Sequence, residues 1–393
     1  MALVFDQPGE LVITCPKGVS DILTKELEDL GYTQVIADVA AVSLKGTLLD
    51  AIKLNLMLRT AHRVLYHLAT FKAPDPEYLY RHIKSMDWEE IIPIDGYFSV
   101  EVRVENDYII DSRFAALRCK DGIADHFLEK FLKRPNSGPE QDNTVLFLYW
   151  KRNEASIYLD TSGDTIARHG YRLHPGKAPL KESLAAAIIM KTKWDRNSHF
   201  INPMCGSGTL AIEAALLARR RYTTMMKGNF SFMHVLGYKE EYFDDQVKEI
   251  KKQEGKKLPF RIIATDIDEI AISLARQNAE TAGVSSLIEF SVCDFRDTPV
   301  PEEGGGVVVL NPEYGERLGV EEELVLIYKG IGDFFKQKCK GYTGYVFTGN
   351  LDLGKTIGLK PARRMEMYNG KIECRLLEFE LYSGSKRAPK EQV

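Results

Sequence analysis

Three short apolar runs recur in the second half of the chain, with helical periodicity between them: Ile262-Ile263-Ala264, Val307-Val308-Val309-Leu310 and Tyr345-Val346-Phe347-Thr348. A strand with one wet face alternates apolar and polar residues. A strand that is apolar throughout is covered on both faces, which points to a parallel sheet flanked by helices. Parallel neighbours cannot be joined by tight turns, so the helical stretches read as crossovers. The pattern changes at the end. Residues 364–368 and 372–379 have strand composition and flank Asn369-Gly370, a dipeptide suited to a two-residue hairpin turn. From residue 180 onward the sequence predicts an α/β fold, a parallel sheet finished by an antiparallel hairpin.

The first part of the chain reads as a different mixed α/β region. Strands are expected over 11–15, 35–44, 64–70, 97–104, 145–150 and 155–160, and helices over 20–30, 48–59 and 113–133. Residues 135–143 read as a surface loop. Around 161–179 the texture turns to Gly, Arg, His and Pro, as expected of the approach to a second domain. Hydrophobic residues at 44% and charged residues at 27% are an ordinary globular balance. The run 184–190 is too short to span a bilayer, and Asp6 and Glu10 precede no basic n-region, unlike a signal peptide. Six dispersed cysteines without a C-x-x-C pair suggest neither a disulfide framework nor a zinc site, hence no metal and a reducing cytoplasm. A net charge of −4 argues mildly against a nucleic-acid partner. The basic clusters Arg219-Arg220-Arg221, Lys251-Lys252 with Lys256-Lys257, Arg363-Arg364 and Lys386-Arg387 read equally well as solvated faces, so charge does not decide the partner.

The sharpest motif is Phe200-Ile201-Asn202-Pro203-Met204-Cys205-Gly206-Ser207-Gly208-Thr209-Leu210, running into a helical stretch. Glycines between strand and helix let backbone approach a ligand, and the helix start offers free N–H groups. A plain turn uses glycines too, and Gly206-x-Gly208-x-x-Ala211 also satisfies a dinucleotide fingerprint. That fingerprint wants an acid about 20 residues on, and none stands around 226–232. The next acid at a strand end is Asp266, before Ile267, after an insertion rich in Lys, Tyr and Phe. It can accept from ribose hydroxyls. Asp294, at the next strand end, can accept from an adenine amino group while Phe295 packs nearby. Each aspartate alone could be a helix cap. Three successive strand ends carrying a glycine turn, an acid and an acid favour a methyl-donor nucleoside over a nicotinamide.

Val307–Leu310 leads into Asn311-Pro312-Glu313-Tyr314-Gly315-Glu316-Arg317-Leu318. An exocyclic amine on a nucleobase is a poor nucleophile because its lone pair is delocalised. The Asn311 side-chain oxygen and the Pro312 carbonyl could accept its two N–H bonds and aim the lone pair at a methyl group. Pro312 fixes φ and presents its carbonyl rigidly. Tyr314 offers a face for an extruded base. Such catalysis is positioning and electrostatics. The bland alternative is a turn that happens to hold Asn, Pro and Gly.

With these residues in place, the chain resembles the THUMP-domain methyltransferases of the RlmL type, which make N2-methylguanine in large-subunit (23S) ribosomal RNA and are often labelled N6-adenine-specific DNA methylases. The resemblance rests on Thr14-Cys15-Pro16-Lys17-Gly18, on Arg168-His169-Gly170-Tyr171-Arg172, and on Ala178-Pro179-Leu180-Lys181-Glu182-Ser183-Leu184-Ala185-Ala186-Ala187. It rests equally on Pro203 to Thr209 and Asn311 to Leu318. It implies a ferredoxin-like element over 1–45, an RNA-binding THUMP domain over 46–161 and a Rossmann-like class I methyltransferase domain over 162–393. It further implies S-adenosylmethionine as cofactor, met by Leu180, Glu182, Asn202, Met204, Gly206, Gly208, Asp266, Ile267, Asp294 and Phe295. Asn311, Pro312 and Tyr314 would be catalytic, with Arg168, Arg172 and Glu313 toward the ribosomal RNA. Two positions depart from the family pattern: Asn202 stands where Asp is usual, and Glu313 where a second proline is usual. Two other readings stay open, an adenine-N6 methyltransferase acting on DNA or RNA and a non-catalytic RNA-binding or ribosome-assembly protein.

Overall fold

Strand β1 (Gly9–Thr14) encloses Leu11 and Ile13 and leaves the residues between them half-exposed, the alternation of a strand covered on one face. It is followed by α1 (Ser20–Asp29), β2 (Val35–Ala37), β3 (Ala41–Gly46), α2 (Leu48–Met57) and β4 (Arg63–Lys72). Next come α3 (Pro76–Lys84), β5 (Tyr97–Glu105), α4 (Ser112–Phe131), β6 (Asn136–Ser137), β7 (Thr144–Lys151) and β8 (Glu154–Asp160). All eight strands form one sheet, in the order β2-β3-β1-β4-β8-β7-β5-β6. Its pairs are antiparallel except where β5 meets β6 and β7. The computed structural model describes residues 5–106, 111–172, 180–255, 257–314 and 321–382. Ala178, Pro179, Lys256, Gly315 to Leu318 and Lys386-Arg387, all used in the sequence reading, lie outside the described residues.

Two expectations for this region need correction. The single strand over 35–44 is two strands, because Asp38 turns the chain: its N–H donates to Ala41 O at 2.8 Å and its carboxylate accepts from Val39 N. Helix α3 was missed. Its signals are in the sequence all the same, with Asp75 accepting from the N–H groups of Glu77 and Tyr78 and Pro76 in the first turn.

The chain continues with α5 (Glu182–Lys191), β9 (His199–Pro203) and α6 (Thr209–Arg219), and then departs from this order. Packing divides it into two compact units, Met1–His169 with Tyr222–Gln253, and Gly170–Arg221 with Glu254–Val393. The insertion 222–253, which holds α7 (Glu240–Lys252), therefore belongs to the first unit. There Ser231 Oγ accepts from Val145 N at 2.8 Å, Thr224 Oγ1 donates to Leu56 O at 2.6 Å, and Phe5 stacks on Tyr242.

The second unit resumes with β10 (Ile262–Asp266), α8 (Glu269–Thr281), β11 (Ile288–Val292), β12 (Gly306–Leu310) and α9 (Glu321–Lys338). It ends with β13 (Tyr342–Thr348), α10 (Leu351–Thr356), β14 (Arg363–Asn369) and β15 (Ile372–Glu380). The sheet order is β11-β10-β9-β12-β13-β15-β14. The first five strands are parallel; β15 runs antiparallel to β13 and β14, with Asn369 opposite Ile372 at the turn. This is the parallel sheet that the apolar runs predict, closed by the hairpin that Asn369-Gly370 predicts, in the Rossmann-like form that the resemblance implies. Val307 to Leu310 are all buried, as a strand covered on both faces requires. Tyr328, Phe334 and Phe335 of α9 pack with Val308, Val346 and Leu377 in its core. The chain winds one way from β9 through β10 to β11, and the other way through β12 to β13. The direction reverses between β9 and β12, and open α/β sheets form their ligand crevice at the carboxyl ends of strands there. Among the described residues no helix is long and apolar enough to cross a membrane.

Candidate active site

The turn after β9 takes its shape from three residues in the left-handed region, Met204 at φ 53°, Gly206 at 54° and Gly208 at 81°. For Met204 that costs roughly 1–2 kcal/mol, which the surrounding bonds must hold. Cys205 N donates to Thr265 O at 2.9 Å, Gly206 N to Asp266 Oδ2 at 2.8 Å, and Gly208 N to Cys205 O at 2.9 Å. The turn is thus laced to the end of β10. A Cβ on Gly206 would enter open space, whereas one on Gly208 would stand 2.9 Å from Ala275 Cβ of α8. Asp266 also accepts from Asp268 N at 3.0 Å through Oδ1. Two backbone N–H groups fix the carboxylate and leave each oxygen a further lone pair.

At the ends of these strands lies a cleft of about 150 Å³ lined by Met204, Asp266, Ile267, Asp294, Phe295, Arg296 and Ile327. Five of these are cofactor residues expected from sequence. Ile267 is 72% exposed, an uncovered apolar side chain at the rim. Phe295 is buried beneath the Arg296 guanidinium, 5.0 Å from its ring centre, and Asp294 accepts from Arg296 N at 2.9 Å. Arg296 and Ile327 were not found from sequence. Arg296 carries no motif beyond adjacency to Phe295, and Ile327 arrives from α9 by tertiary packing. The cleft offers two carboxylates and apolar walls, and its one described cation, Arg296, is paired with Asp294 at 3.3 Å. A nucleoside such as the adenosine of S-adenosylmethionine fits this donor set. A diphosphate would find no free positive charge among the described lining residues.

The remaining expected cofactor residues lie around the turn. Asn202 is fully buried on β9; its Nδ2 donates to Val309 O of β12 at 2.9 Å, and its Oδ1 is enclosed without a partner among the described residues. The amide thereby ties the cofactor strand to the strand that carries Asn311. Leu180 and Glu182 are buried at the start of α5. Of the two arginines expected to meet RNA, Arg168 is exposed and Arg172 is not. The assignment of Arg172 to RNA is corrected, because Nη2 donates to Leu180 O at 2.6 Å and to Thr209 Oγ1 at 2.7 Å inside the second unit. Beside it, burial and the Glu213 and Glu182 carboxylates push the Tyr171 phenol well above its usual range. Of the cluster Arg219 to Arg221, Arg219 and Arg221 are half-buried, both 2.9 Å from Glu254, while Arg220 is exposed.

Strand β12 pairs in parallel with β9 up to Val308 and Ile201, and Asn311 follows the end of β12 as Met204 follows the end of β9. Asn311 Oδ1 is buried and has no partner among the described residues. Pro312 is buried and the Glu313 side chain exposed. The segment is pinned from two sides. Tyr328 Oη donates to Glu313 O at 3.4 Å while bonded to Thr348 Oγ1 at 2.9 Å. Asn369 Nδ2 donates to Tyr314 Oη at 3.0 Å. The Tyr314 ring lies edge-on to Phe347, 6.3 Å between centres, and against the Cβ-free side of Gly349. Burial pushes its phenol up to about 12, so it stays protonated at neutral pH. Tyr328 and Asn369 were not foreseen, since both reach the motif only through the fold.

Three stretches of the chain match described domains: residues 10–65 the RlmL ferredoxin-like domain, 73–160 the THUMP domain, and 169–378 the RMKL-like methyltransferase domain. The ribosomal RNA large subunit methyltransferase K/L of Syntrophotalea carbinolica is 38% identical over 96% of this chain and 54% of its own, so the chain spans about half that relative's length. A Synechocystis sp. protein named as an RNA methyltransferase is 33% identical over 94% of this chain and 96% of its own. Among solved structures, SMU.472 complexed with SAH superposes with a TM-score of 0.87 at 26% identity, covering 96% of this chain and all of that one.

Proposed function

The chain belongs to the RMKL-like methyltransferase family, and on that premise we propose that it moves the methyl group of S-adenosylmethionine to the exocyclic N2 amine of a guanine in 23S ribosomal RNA. One observation carries the reading: the buried Asn311 oxygen, without a partner among the described residues, that follows β12 next to the strand of the glycine turn, in the unit that holds a cleft suited to a nucleoside. A buried acceptor without a donor is costly unless something completes it, and an amine N–H does so. The relatives' names supply the RNA class, and the THUMP match supports RNA capture by the residues up to about 161.

When bound, the cofactor supplies an electrophilic methyl on its sulfonium. The cleft residues orient it: Asp266 accepts from the ribose hydroxyls, Asp294 from the adenine amine, and Ile267, Phe295 and Ile327 exclude water from the ring. Asn311 Oδ1 and the Pro312 carbonyl hold the two N–H bonds of the target amine, so that its lone pair faces the methyl. During the transfer these two acceptors would stabilise the positive charge gathering on the amine nitrogen, and one of its protons would then pass to water. Tyr314 gives the extruded base a face worth ~1–3 kcal/mol of stacking. Its hydroxyl takes no part in the transfer.

Asn311→Ala tests the reading. Single-turnover methylation of ribosomal RNA should fall about 10²–10³-fold, the usual loss for one preorganised polar contact, while S-adenosylhomocysteine binds as before. Undiminished turnover refutes the role of Asn311. N6-methyladenine as the product nucleoside would replace the guanine assignment with the adenine one.

A further inference from the structure

The closing hairpin reaches past the sheet it completes. Strand β13 ends at Thr348, which lies opposite Arg375 of β15, whereas β15 begins at Ile372. The hairpin therefore overhangs the carboxyl end of β13 by about 10 Å, at the end of the sheet where Asn311 to Tyr314 leave β12. Opposed residues of an antiparallel pair share a face, as do alternate residues along each strand. Ile372 is opposed to Asn369 and Cys374 to Met367, so Leu376, Cys374 and Ile372 form one row. Leu376, Cys374 and Met367 are fully enclosed, but Ile372, the outer end of the row, is 52% exposed. The same face meets the catalytic segment, since Asn369 Nδ2 donates to Tyr314 Oη and Cys374 Sγ stands 3.9 Å from that oxygen.

Gly349, just past β13, shows what Ile372 stands beside. A Cβ on Gly349 would lie 2.7 Å from Cδ2 and Cε2 of the Tyr314 ring and 3.0 Å from Ile372 Cγ2, so ring and isoleucine are neighbours over a residue that has no side chain to part them. A lone exposed isoleucine is ordinary on a protein surface. This one ends a buried apolar row, overhangs the carboxyl edge of the sheet and adjoins the ring that receives the base. We propose that Ile372 is the apolar side wall of the target-nucleoside slot, a deepening that rests on the methyltransferase reading above. Extrusion uncovers ring surface that had been stacked in the RNA. Tyr314 covers one face of the base again and Ile372 the edge next to it, taking apolar surface out of water. A side chain without polar atoms cannot choose between bases, so that choice stays with Asn311 and Pro312. Ile372 instead favours the extruded state, and its effect belongs to the rate at saturating RNA, not to the cofactor.

Single-turnover methylation of an unmodified 23S ribosomal RNA transcript by the full chain tests the proposal. Ile372→Ala should lower the rate at saturating RNA about 5- to 20-fold, the worth of a partly covered aliphatic side chain. Ile372→Val, which keeps most of the wall, should return the rate to within about twofold of the wild type. Calorimetry with S-adenosylhomocysteine and thermal melting should give wild-type values for both variants. Ile372→Cys supplies an independent readout through alkylation by N-ethylmaleimide, with the wild-type chain reporting the native cysteines. Ribosomal RNA with S-adenosylhomocysteine should protect the new thiol, and S-adenosylhomocysteine alone should not. An undiminished rate for Ile372→Ala, or a thiol alkylated equally fast with and without RNA, overturns the proposal and leaves Ile372 an ordinary residue of the hairpin. A loss of S-adenosylhomocysteine affinity as large as the loss of rate overturns it too, because the substitution would then disturb the second unit as a whole. If the wild-type chain methylates no ribosomal RNA, the methyltransferase reading itself fails and the slot falls with it.

Discussion

Gly208→Ala is the most demanding test of the glycine turn, because two separate costs meet at one atom. The residue sits at φ 81°, where an L side chain costs roughly 1–2 kcal/mol. The new Cβ would stand 2.9 Å from Ala275 Cβ, against an ordinary carbon–carbon contact of about 3.5–4.0 Å. Both atoms belong to short side chains close to rigid helix backbone, so relief requires α6 or α8 to move, and overpacking of this kind costs roughly 1–3 kcal/mol. The stiffer unfolded chain returns about 0.4–1 kcal/mol. The net expectation is a loss of about 1–4.5 kcal/mol, read as a lower urea midpoint with an unchanged slope. Ala275→Gly separates the two costs. Alone it should lose about 1 kcal/mol, as a glycine inside α8. Combined with Gly208→Ala it removes the steric part and leaves the conformational one. The double-mutant cycle should then show a favourable coupling of about 1–3 kcal/mol. Calorimetry with S-adenosylhomocysteine should follow the same order, weakest for Gly208→Ala and partly restored in the double variant. A coupling near zero would mean that close helix approach does not set this glycine, and a neutral Gly208→Ala would contradict the left-handed turn itself.

Two further outcomes are expected. Tyr314→Phe and Asn369→Ala should each slow single-turnover methylation only a few-fold, with no added loss when combined, since each breaks the same 3.0 Å bond and leaves the ring in place; a Phe variant as slow as Tyr314→Ala would show that the hydroxyl reacts. In the first unit, burial lowers the Lys227 ammonium from 10.5 to about 8 although it donates to Ser162 O and Asp164 O; the unfolded chain then holds this proton longer, so stability should rise by roughly 2–3 kcal/mol between pH 8 and 10.5, and Lys227→Met should flatten that slope in urea titrations across the range.

What the sequence disclosed follows the range of the forces involved. The apolar runs at 262–264 and 307–310 report burial on both faces, a property each strand carries in its own residues, and the parallel core followed from them. Asn369-Gly370 reports its turn in the same local way. The break at Asp38 and the helix capped by Asp75 are just as local, with their signals in the residues themselves. The placement of 222–253 was of another kind. Its Ser231 and Thr224 bonds reach back to Val145 and Leu56, and nothing in the insertion's own pattern names those partners. Arg172 was misread because arginine beside a catalytic domain suggests RNA. Its partners Thr209 and Glu182, which turn it inward, become visible only once α5 and α6 are packed.

The candidate site divides along the same line, and the division bears on how it works. Gly206, Asp266, Asp294 and Asn311 could be put forward from sequence because each sits at a strand end, where the chain must turn and where open α/β sheets form their ligand crevice. The residues that make these groups precise come from far along the chain: Tyr328 of α9 holds the Glu313 carbonyl, and Asn369 at the hairpin turn holds Tyr314. A short segment with proline at its second position is stiff but not oriented. Pinned at Glu313 and Tyr314 by elements that belong to the core of the second unit, it presents Asn311 Oδ1 and the Pro312 carbonyl in one fixed relation to the Met204 turn. Catalysis by positioning needs that fixed relation more than it needs any single reactive group. Glu313 fits the same logic despite its departure from the family pattern. Among the described residues its contact, from Tyr328 of α9, is through its main-chain carbonyl, which any residue at that position supplies, and its side chain is exposed.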